Sequence, residues 1–457
     1  MKVSHLAVVA LAAAGCASTS PRPAFEHVSK LVEERGGKPL HWDQGTPADA
    51  QVKAHVRDLL RGTLTPEGAV EVALLRNQGL VATYEELGIG QADLVQAGLL
   101  RNPTFGARVR FPTGTGFTDT EFSVAEDFLG IFTLPLRKRL AATQLDASKA
   151  RVGSAVLDLT AEVRGAFVGL QAAQATAKVR QLVFDAQQAA AELRRRQYAA
   201  GNVGDLELAQ QEAFYQQAKL DIARAQTLVL EQRERVNRLL GLWGEESTSW
   251  KVADELPVLP AAEPALEHVE SLAVARRLDL AAAHSEALAL EQAASAAGIT
   301  RFFPAVEVGV STERDAEGRR VTGPSVALEL PLFDQGQART ARLAAQVRQA
   351  RAREAELAVN VRAEVRALRT RLLATRGVVE HYRTVLLPLR ERVVQHAQLR
   401  YNAMLLGVFQ LLLARREQMD AYRDYLGSVR DYWTARADLE RAAGGSLTGA
   451  LAQENKP

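Results

Sequence analysis

The sequence predicts a mainly α fold with a small β part, a duplicated helix–hairpin–helix repeat with long coiled-coil-like helices. Three observations carry this. The 457 residues include only 16 Pro and 6% aromatics against abundant Ala, Arg, Gln, Glu and Leu, the composition of long helices. The landmarks of the chain occur twice, in the same order. Four short segments alternate apolar and polar residues with the period of a strand. Charge and cysteine usage narrow the function classes. Lys and Arg number 56 against 54 Asp and Glu, so the chain has no large basic surplus to neutralise phosphates, which argues against nucleic acid as a partner. One Cys excludes a disulfide framework and a cysteine-rich metal site.

The N-terminus reads as an address. Lys2 supplies a positive end, and Leu6 to Ala14 is an apolar run too short to span a bilayer. It ends in Ala13-Ala14-Gly15-Cys16, and Cys16 is the only cysteine. This resembles a bacterial lipoprotein signal, with residues 1–15 removed and Cys16 acylated. Ala17, rather than Asp, implies by the same resemblance sorting to the outer membrane. Residues 16–63 read as a lipid-anchored tether. Ser18 to Pro23 and Gly36 to Pro39 predict little structure there.

Two structural repeats follow, 64–250 and 251–443, with a tail at 444–457. Gln96-Ala97-Gly98-Leu99-Leu100-Arg101-Asn102-Pro103 recurs about 200 residues on as Ala296-Ala297-Gly298-Ile299-Thr300-Arg301-Phe302-Phe303-Pro304. Leu134-Pro135-Leu136 recurs as Leu330-Pro331-Leu332, and Tyr198 to Gly204 as Tyr401 to Gly407. Each copy opens with helix, broken in the first near Gly79 or Gly88 and running about 265–297 in the second.

Residues 137–199 contain no Pro, which predicts a helix roughly 95 Å long at ~1.5 Å per residue. Glycines in Gly201-Asn202-Val203-Gly204 permit a reversal, and 205–240 runs back. The second copy predicts a helix at about 335–402, a turn at Gly407, and a return over 408–443. Ala, Leu and Val recur at three-to-four spacing between Arg, Glu and Gln, a coiled-coil-like stripe. Pro388 should kink the second descending helix.

Strands are expected at about 104–111, 119–128, 303–312 and 323–332. Val306, Val308 and Val310 alternate with Glu307, Gly309 and Ser311. Val326, Leu328, Leu330 and Leu332 alternate with Ser325, Ala327 and Glu329. Phe105, Ala107, Val109 and Phe111 alternate with Arg108 and Arg110. Each strand thus has one apolar and one polar face. A transmembrane β-barrel has this pattern, and so has a soluble sheet packed on one face. In a barrel, Arg108, Arg110, Glu307 and Glu329 face the lumen. Glu126 shares the register of Phe122 and Val124 and is expected near an interface. Four strands cannot close a barrel, which needs about eight, and open edges are not viable in lipid. If the strands enter a membrane, several copies share one barrel, and three copies would give twelve strands.

Residues 64–103, from Leu64-Thr65-Pro66-Glu67 through Arg101-Asn102-Pro103, and the junction Leu328-Glu329-Leu330-Pro331-Leu332-Phe333-Asp334-Gln335-Gly336 resemble the TolC family of outer-membrane efflux proteins, in its lipid-anchored form. The resemblance spans about 60–443. It implies a homotrimer with a shared barrel and a periplasmic α-barrel, set in outer-membrane lipid. It also implies a periplasmic adaptor and an inner-membrane pump as partners. The expected role is a passive exit duct for small molecules or metal ions. Alternatives are a channel for type I protein secretion and a pore-less, lipid-anchored periplasmic scaffold.

By the same resemblance, the tips at about 198–206 and 401–409 form the periplasmic entrance and meet the adaptor. The residues concerned are Tyr198, Gly201, Gly204, Asp205, Leu206, Tyr401, Leu406, Gly407 and Phe409. The first tip is polar, with Asn202, Asp205 and Glu207; the second is apolar, with Met404, Leu405, Leu406, Val408 and Phe409. The acidic ring common at the second tip of this family is missing. No nucleophile elbow, His-Glu-x-x-His or Walker loop appears. His381 and His396 are too far apart along a helix to share a metal. No catalytic residue, metal ligand or cofactor is expected.

Overall fold

The computed structural model describes residues 18–111, 118–253, 255–300, 306–314 and 318–447. In chain order the elements are α1 (Arg22–Glu33), α2 (Pro47–Arg61), β1 (Thr63–Leu64), α3 (Pro66–Arg76), α4 (Gln78–Ala97), β2 (Thr104–Arg110) and β3 (Asp119–Asp127). Then come α5 (Phe128–Ala199), α6 (Asp205–Leu240), α7 (Glu246–Ser249), β4 (Lys251–Val252), α8 (Val269–Arg276) and α9 (Leu278–Thr300). The rest are β5 (Val306–Arg314), β6 (Arg320–Leu328), α10 (Gln337–His381), a π turn (Tyr382–Leu386), α11 (Leu387–Asn402) and α12 (Val408–Ala442). Helix holds 73% and strand 9%, which places the fold in the mainly α class. No helix among the described residues is long and apolar enough to cross a membrane.

Two compact units make up the chain. One comprises Met1–Val28, Tyr84–Val152 and Leu278–Val359; the other comprises Ser29–Thr83, Gly153–Arg277 and Asn360–Pro457. The first holds the four-stranded antiparallel sheet, in the order β2-β3-β5-β6. The second holds both helix reversals and a two-residue parallel pair, β1 with β4. Its core includes Trp250, Phe167 and Tyr432, all fully buried, with Phe167 stacked on Trp250 at 6.4 Å. The Trp250 indole donates to the Asn237 side chain at 2.9 Å, so the buried ring leaves no polar atom unpaired.

The repeat is visible atom by atom in this second unit. Helix α6 ends at Gly241 and α12 is followed by Gly444, both left-handed, at φ 67° and 78°. A Cβ on Gly241 would stand 2.7 Å from the Arg76 carbonyl oxygen, and one on Gly444 2.9 Å from the Arg276 carbonyl carbon. Only glycine permits both the backbone angle and that close approach. The opening helix of each copy breaks at matching places too, at Asn77 and Arg277, whose N–H groups bond Ala73 and Ala273 at 2.9 Å.

Several expectations are corrected. The N-terminal segment is not a structureless tether. Its α1 buries Ala24, Val28 and Val32, four residues apart on one face, and α2 buries Val56 and Leu60. Tertiary bonds tie it down: Ser446 N–H donates to the Arg35 carbonyl at 2.8 Å, and Lys38 and His55 reach Glu71 at 2.9 and 2.7 Å. The first helical break is at Asn77, not at Gly79 or Gly88. The Asn77 amide oxygen accepts the Leu80 N–H at 2.9 Å while its NH2 donates to the Leu239 carbonyl at 2.8 Å.

Helix α5 begins at Phe128, well before the expected 137, and carries Pro135 within it. The Asp127 carboxylate accepts the Gly130 N–H at 3.0 Å and so caps this early start. Its counterpart Leu330-Pro331-Leu332 lies in irregular chain ahead of α10. The second-copy strands run 306–314 and 320–328, with residues 301–305 outside the described set. At Pro388 the helix is not simply kinked. A π turn precedes it, in which the Leu387 N–H donates to the Tyr382 carbonyl five residues back. The widened turn accommodates a ring that has no N–H to give.

Candidate functional site

Two regions carry the functional candidates, the sheet of one unit and the helix reversals of the other. Register sorts the side chains of the sheet. Residues directly paired across antiparallel strands share a face. Phe105 pairs with Val124, Val124 with Val310, and Val310 with Pro324. Beside this row run Ala107, Phe122, Thr312 and Thr322 on one side and Glu126, Val308 and Val326 on the other. One face is therefore predominantly apolar across the middle of all four strands, with Arg314 and Arg320 at one end and Glu126 near the other, and it is open: Phe105 and Val326 are each 70% exposed. Phe105 and Phe122 stack on it at 6.2 Å. Pro324, which cannot donate to a ladder, sits on the edge strand β6 where no donation is asked of it. Among the described residues β2 and β6 each have one neighbour, so the sheet has two free edges.

The opposite face is charged. Arg108 meets Glu121 at 3.0 Å and Arg110 meets Asp119 at 3.0 Å. Like charges stand in register as well, Glu121 opposite Glu313 and Asp127 opposite Glu307. Such pairs are unfavourable unless water screens them. Arg108, Arg110 and Glu307 thus share the polar face. Glu329 stands one residue past the end of β6 and belongs to no strand. Glu126 lies on the apolar face, opposite Val308.

The two reversals have one geometry and two chemistries. In the first, the Gly201 N–H bonds the Tyr198 carbonyl at 2.9 Å and the Asn202 N–H bonds the Gln197 carbonyl at 2.9 Å. In the second, Met404 bonds Tyr401 at 3.0 Å and Leu405 bonds Arg400 at 2.9 Å. This closure needs a left-handed residue. Gly201 supplies it at φ 73°. Met404 occupies the matching place at φ 55°, the only left-handed non-glycine among the described residues, at a cost of roughly 1–2 kcal/mol. Met404 is 94% exposed and Leu405 77%.

The return helices start at Gly204 and Gly407, both in extended backbone. At the first, the Glu207 carboxylate accepts the Gly204 N–H at 3.1 Å, and Asp205 adds a second negative charge at the helix N-terminus. The Tyr198 hydroxyl bonds Asp205, which raises the phenol above its ordinary pKa. At the second, no acid stands in the first turn. The Arg194 guanidinium lies 3.3 Å from the Phe409 ring centroid, a cation–π contact joining the two reversals. Burial pushes the Arg194 pKa down. Leu206 and Tyr401 are exposed, and Leu406 and Phe409 half-buried.

Sequence reasoning missed a buried ion cluster in the same unit. Glu263 bonds Arg376 at 3.0 Å, Arg436 at 2.8 Å and the Tyr432 hydroxyl. Its partners lie more than 100 positions away, and no local motif announces them. Cys16 falls outside the described residues. No group of three or more His, Cys, Asp or Glu among the described residues could hold a metal.

Comparison with known proteins follows the same lines. Residues 135–242 match the family model for outer membrane efflux proteins. The cobalt-zinc-cadmium resistance protein CzcC of Cupriavidus metallidurans is 25% identical over 392 residues, 84% of this chain and 90% of that protein. The outer-membrane channel OprN superposes with a TM-score of 0.71 at 18% identity, over 91% of this chain and 96% of that one. The Campylobacter jejuni CmeC outer membrane channel superposes with a TM-score of 0.71 at 14% identity, over 91% of both chains. The chain is thus similar in sequence to outer membrane efflux proteins over residues 135–242 and to CzcC over most of its length.

Proposed function

We propose that this protein is the outer-membrane channel subunit of a tripartite efflux system. It is a passive duct that leads small molecules or metal ions from the periplasm and an inner-membrane pump to the outside. One observation carries the reading: a four-stranded sheet with two free edges and an exposed apolar face. Such a sheet is unstable in water, where the apolar face lacks cover, and unstable alone in lipid, where the edges lack partners. Both conditions are met if copies join edge to edge with the apolar face toward lipid. Three copies supply twelve strands, within the range of closed membrane barrels. The screened polar face, with Arg108, Arg110 and Glu307, then lines the lumen.

The remaining assignments rest on the family likeness. Cys16 carries the lipid anchor. The tips around Tyr198, Gly201, Gly204, Asp205, Leu206, Tyr401, Leu406, Gly407 and Phe409 form the periplasmic entrance and meet the adaptor. The name of CzcC supports a metal-ion cargo. The channel itself performs no chemistry, so its cargo is set by the pump. The test is electrical. Purified protein should form heat-stable oligomers and give discrete ion conductance in planar bilayers. A chain released from membranes as a monomer by removal of the anchor, with no conductance, would instead fit the pore-less scaffold.

A further inference from the structure

Strands β3 and β6 are each antiparallel to β5, which lies between them, so both leave the sheet at the same end. Glu126, Val308 and Val326 share one cross-strand row there, and Phe128 and Leu328 come two residues later on the two paths. Beyond that level both connections follow one plan. Exposed apolar side chains come first: Phe128, Ile131 and Phe132 in one, Leu330, Leu332 and Phe333 in the other. Phe132 is 67% exposed and Phe333 95%. Phe128 and Phe132 meet edge to face at 5.2 Å. The Gln337 side chain donates to the Phe333 carbonyl at 3.5 Å and holds Phe333 one turn ahead of α10. Cations follow: Lys138 and Arg139 on α5, Arg339 and Arg342 on α10, all exposed and without an ion pair among the described residues. Arg139 stands seven residues after Phe132, two turns along the same face, about 10 Å further on.

Residues 128–145 hold three cations and 335–353 five, with no carboxylate in either stretch. The whole chain carries a net charge of only +2, so cations are concentrated at this level. The acids just before it are engaged. Asp127 takes Arg101 at 3.2 Å and the Gly130 N–H, and Asp334 takes the Gly336 N–H at 2.8 Å. Apolar strand, exposed aromatic and aliphatic belt, then unpaired cation is the order in which a bilayer passes from acyl chains to phosphates.

We infer that Lys138, Arg139, Arg339 and Arg342, next to the belt of Phe128, Phe132, Leu332 and Phe333, bind the phosphates of anionic phospholipid in the leaflet nearer the helices. The inference rests on the duct reading and deepens it by naming the lipid class that this end of the sheet recognises. Continuity with the apolar sheet face and charge complementarity select this occupant. A second copy of the chain does not fit the first connection. Strand β3 lies between β2 and β5, so α5 starts away from the free edges where copies would join.

The test reads depth and charge separately. Protein carrying Phe132→Trp, Phe333→Trp or Val310→Trp is reconstituted in vesicles. Quenching by lipids brominated near the headgroup or near the chain end is compared with that of the unsubstituted protein. Headgroup-proximal bromines should quench positions 132 and 333 most, and deep bromines position 310. Native mass spectrometry of the detergent-solubilised protein then counts retained lipid. Replacing Lys138, Arg139, Arg339 and Arg342 together by Gln should lower retained phosphatidylglycerol about tenfold and leave phosphatidylcholine unchanged. The Trp substitutions fall on exposed positions, so they keep the test open should the fourfold variant fail to fold. Unchanged phosphatidylglycerol, an equal loss of both lipids, or no preference for headgroup-proximal bromines at 132 and 333 would each overturn the inference. The two claims part at position 310. No quenching there by any brominated lipid sinks the duct reading, while quenching at 310 with none at 132 and 333 sinks this inference alone.

Discussion

The two copies of the repeat agree where they are buried and disagree where they reverse. Gly241 and Gly444 end their return helices with the same left-handed backbone against the same carbonyl environment. Asn77 and Arg277 interrupt their opening helices at the same point. At the reversals the backbone is again shared, yet Gly201 has Met404 as its counterpart, and a polar tip with Asp205 and Glu207 corresponds to an apolar one with Leu405 and Leu406. Packing fixed the framework in both copies, because a close backbone approach admits no alternative residue. At the apices of the reversals, Met404 and Leu405 are exposed and no close backbone approach dictates the residue type.

Removing the shared framework should have the largest effect. Gly444→Ala and Gly241→Ala each force a Cβ into a carbonyl and a side chain into positive φ. Each should destabilise the second unit by about 3 kcal/mol or more, read as a lowered melting temperature. Equal losses would show that the two copies are mechanically equivalent; a loss at one alone would break the comparison. The sheet gives a second contrast. Val310→Arg on the apolar face should cost about 2–4 kcal/mol and suppress membrane assembly if that face meets lipid. Ser311→Arg, on the polar face, should be tolerated. Similar behaviour of both variants in membrane extraction would contradict a lipid-facing sheet.

Two carboxylates of the second unit sharpen the contrast through pH. Burial tends to raise the Glu364 pKa, but hydrogen bonds from Arg277 and Arg441 outweigh it and hold the group below its ordinary value. Its stabilisation is present above the ordinary carboxylate range and is lost as pH falls through the folded value. Glu364→Gln should therefore cost about 2 kcal/mol at pH 7 and flatten the acid limb of stability against pH. Glu440 behaves oppositely. Burial raises its pKa and the charges of Arg164 and Arg436 offset this only in part. Its charged form is disfavoured in the fold, so stability is regained as pH falls toward the raised value. Glu440→Gln should leave stability at pH 7 unchanged or higher. The smallest effect is expected at the reversals. Met404→Gly should stabilise by roughly 1 kcal/mol and Gly201→Met destabilise by a similar amount, both measurable by thermal melts.

Much of this was legible in the sequence because it is periodic. The alternation at Val306, Val308 and Val310 fixes a strand and its faces without knowledge of its partners. The glycines at 201, 204 and 407 mark reversals for the same local reason. What escaped was decided by contacts distant in sequence. Ser18 to Pro39 reads as a tether by composition, yet Ala24, Val28 and Val32 find burial and Arg35 finds Ser446. Asn77, not a glycine, breaks the first helix, because its side chain bonds both Leu80 and the remote Leu239. The early start of α5 depends on the Asp127 cap. The strain at Met404 was open to discovery: aligning the second reversal on Gly201 places Met at a position that demands positive φ.

The central claim is that four strands per chain are completed by strands of other copies. Native mass spectrometry of the detergent-solubilised protein tests it most directly. The account predicts particles of three chains that survive mild heating, and a loss of that state on Val310→Arg. Particles of single chains that remain folded and soluble, with the apolar sheet face protected from hydrogen exchange, would contradict it.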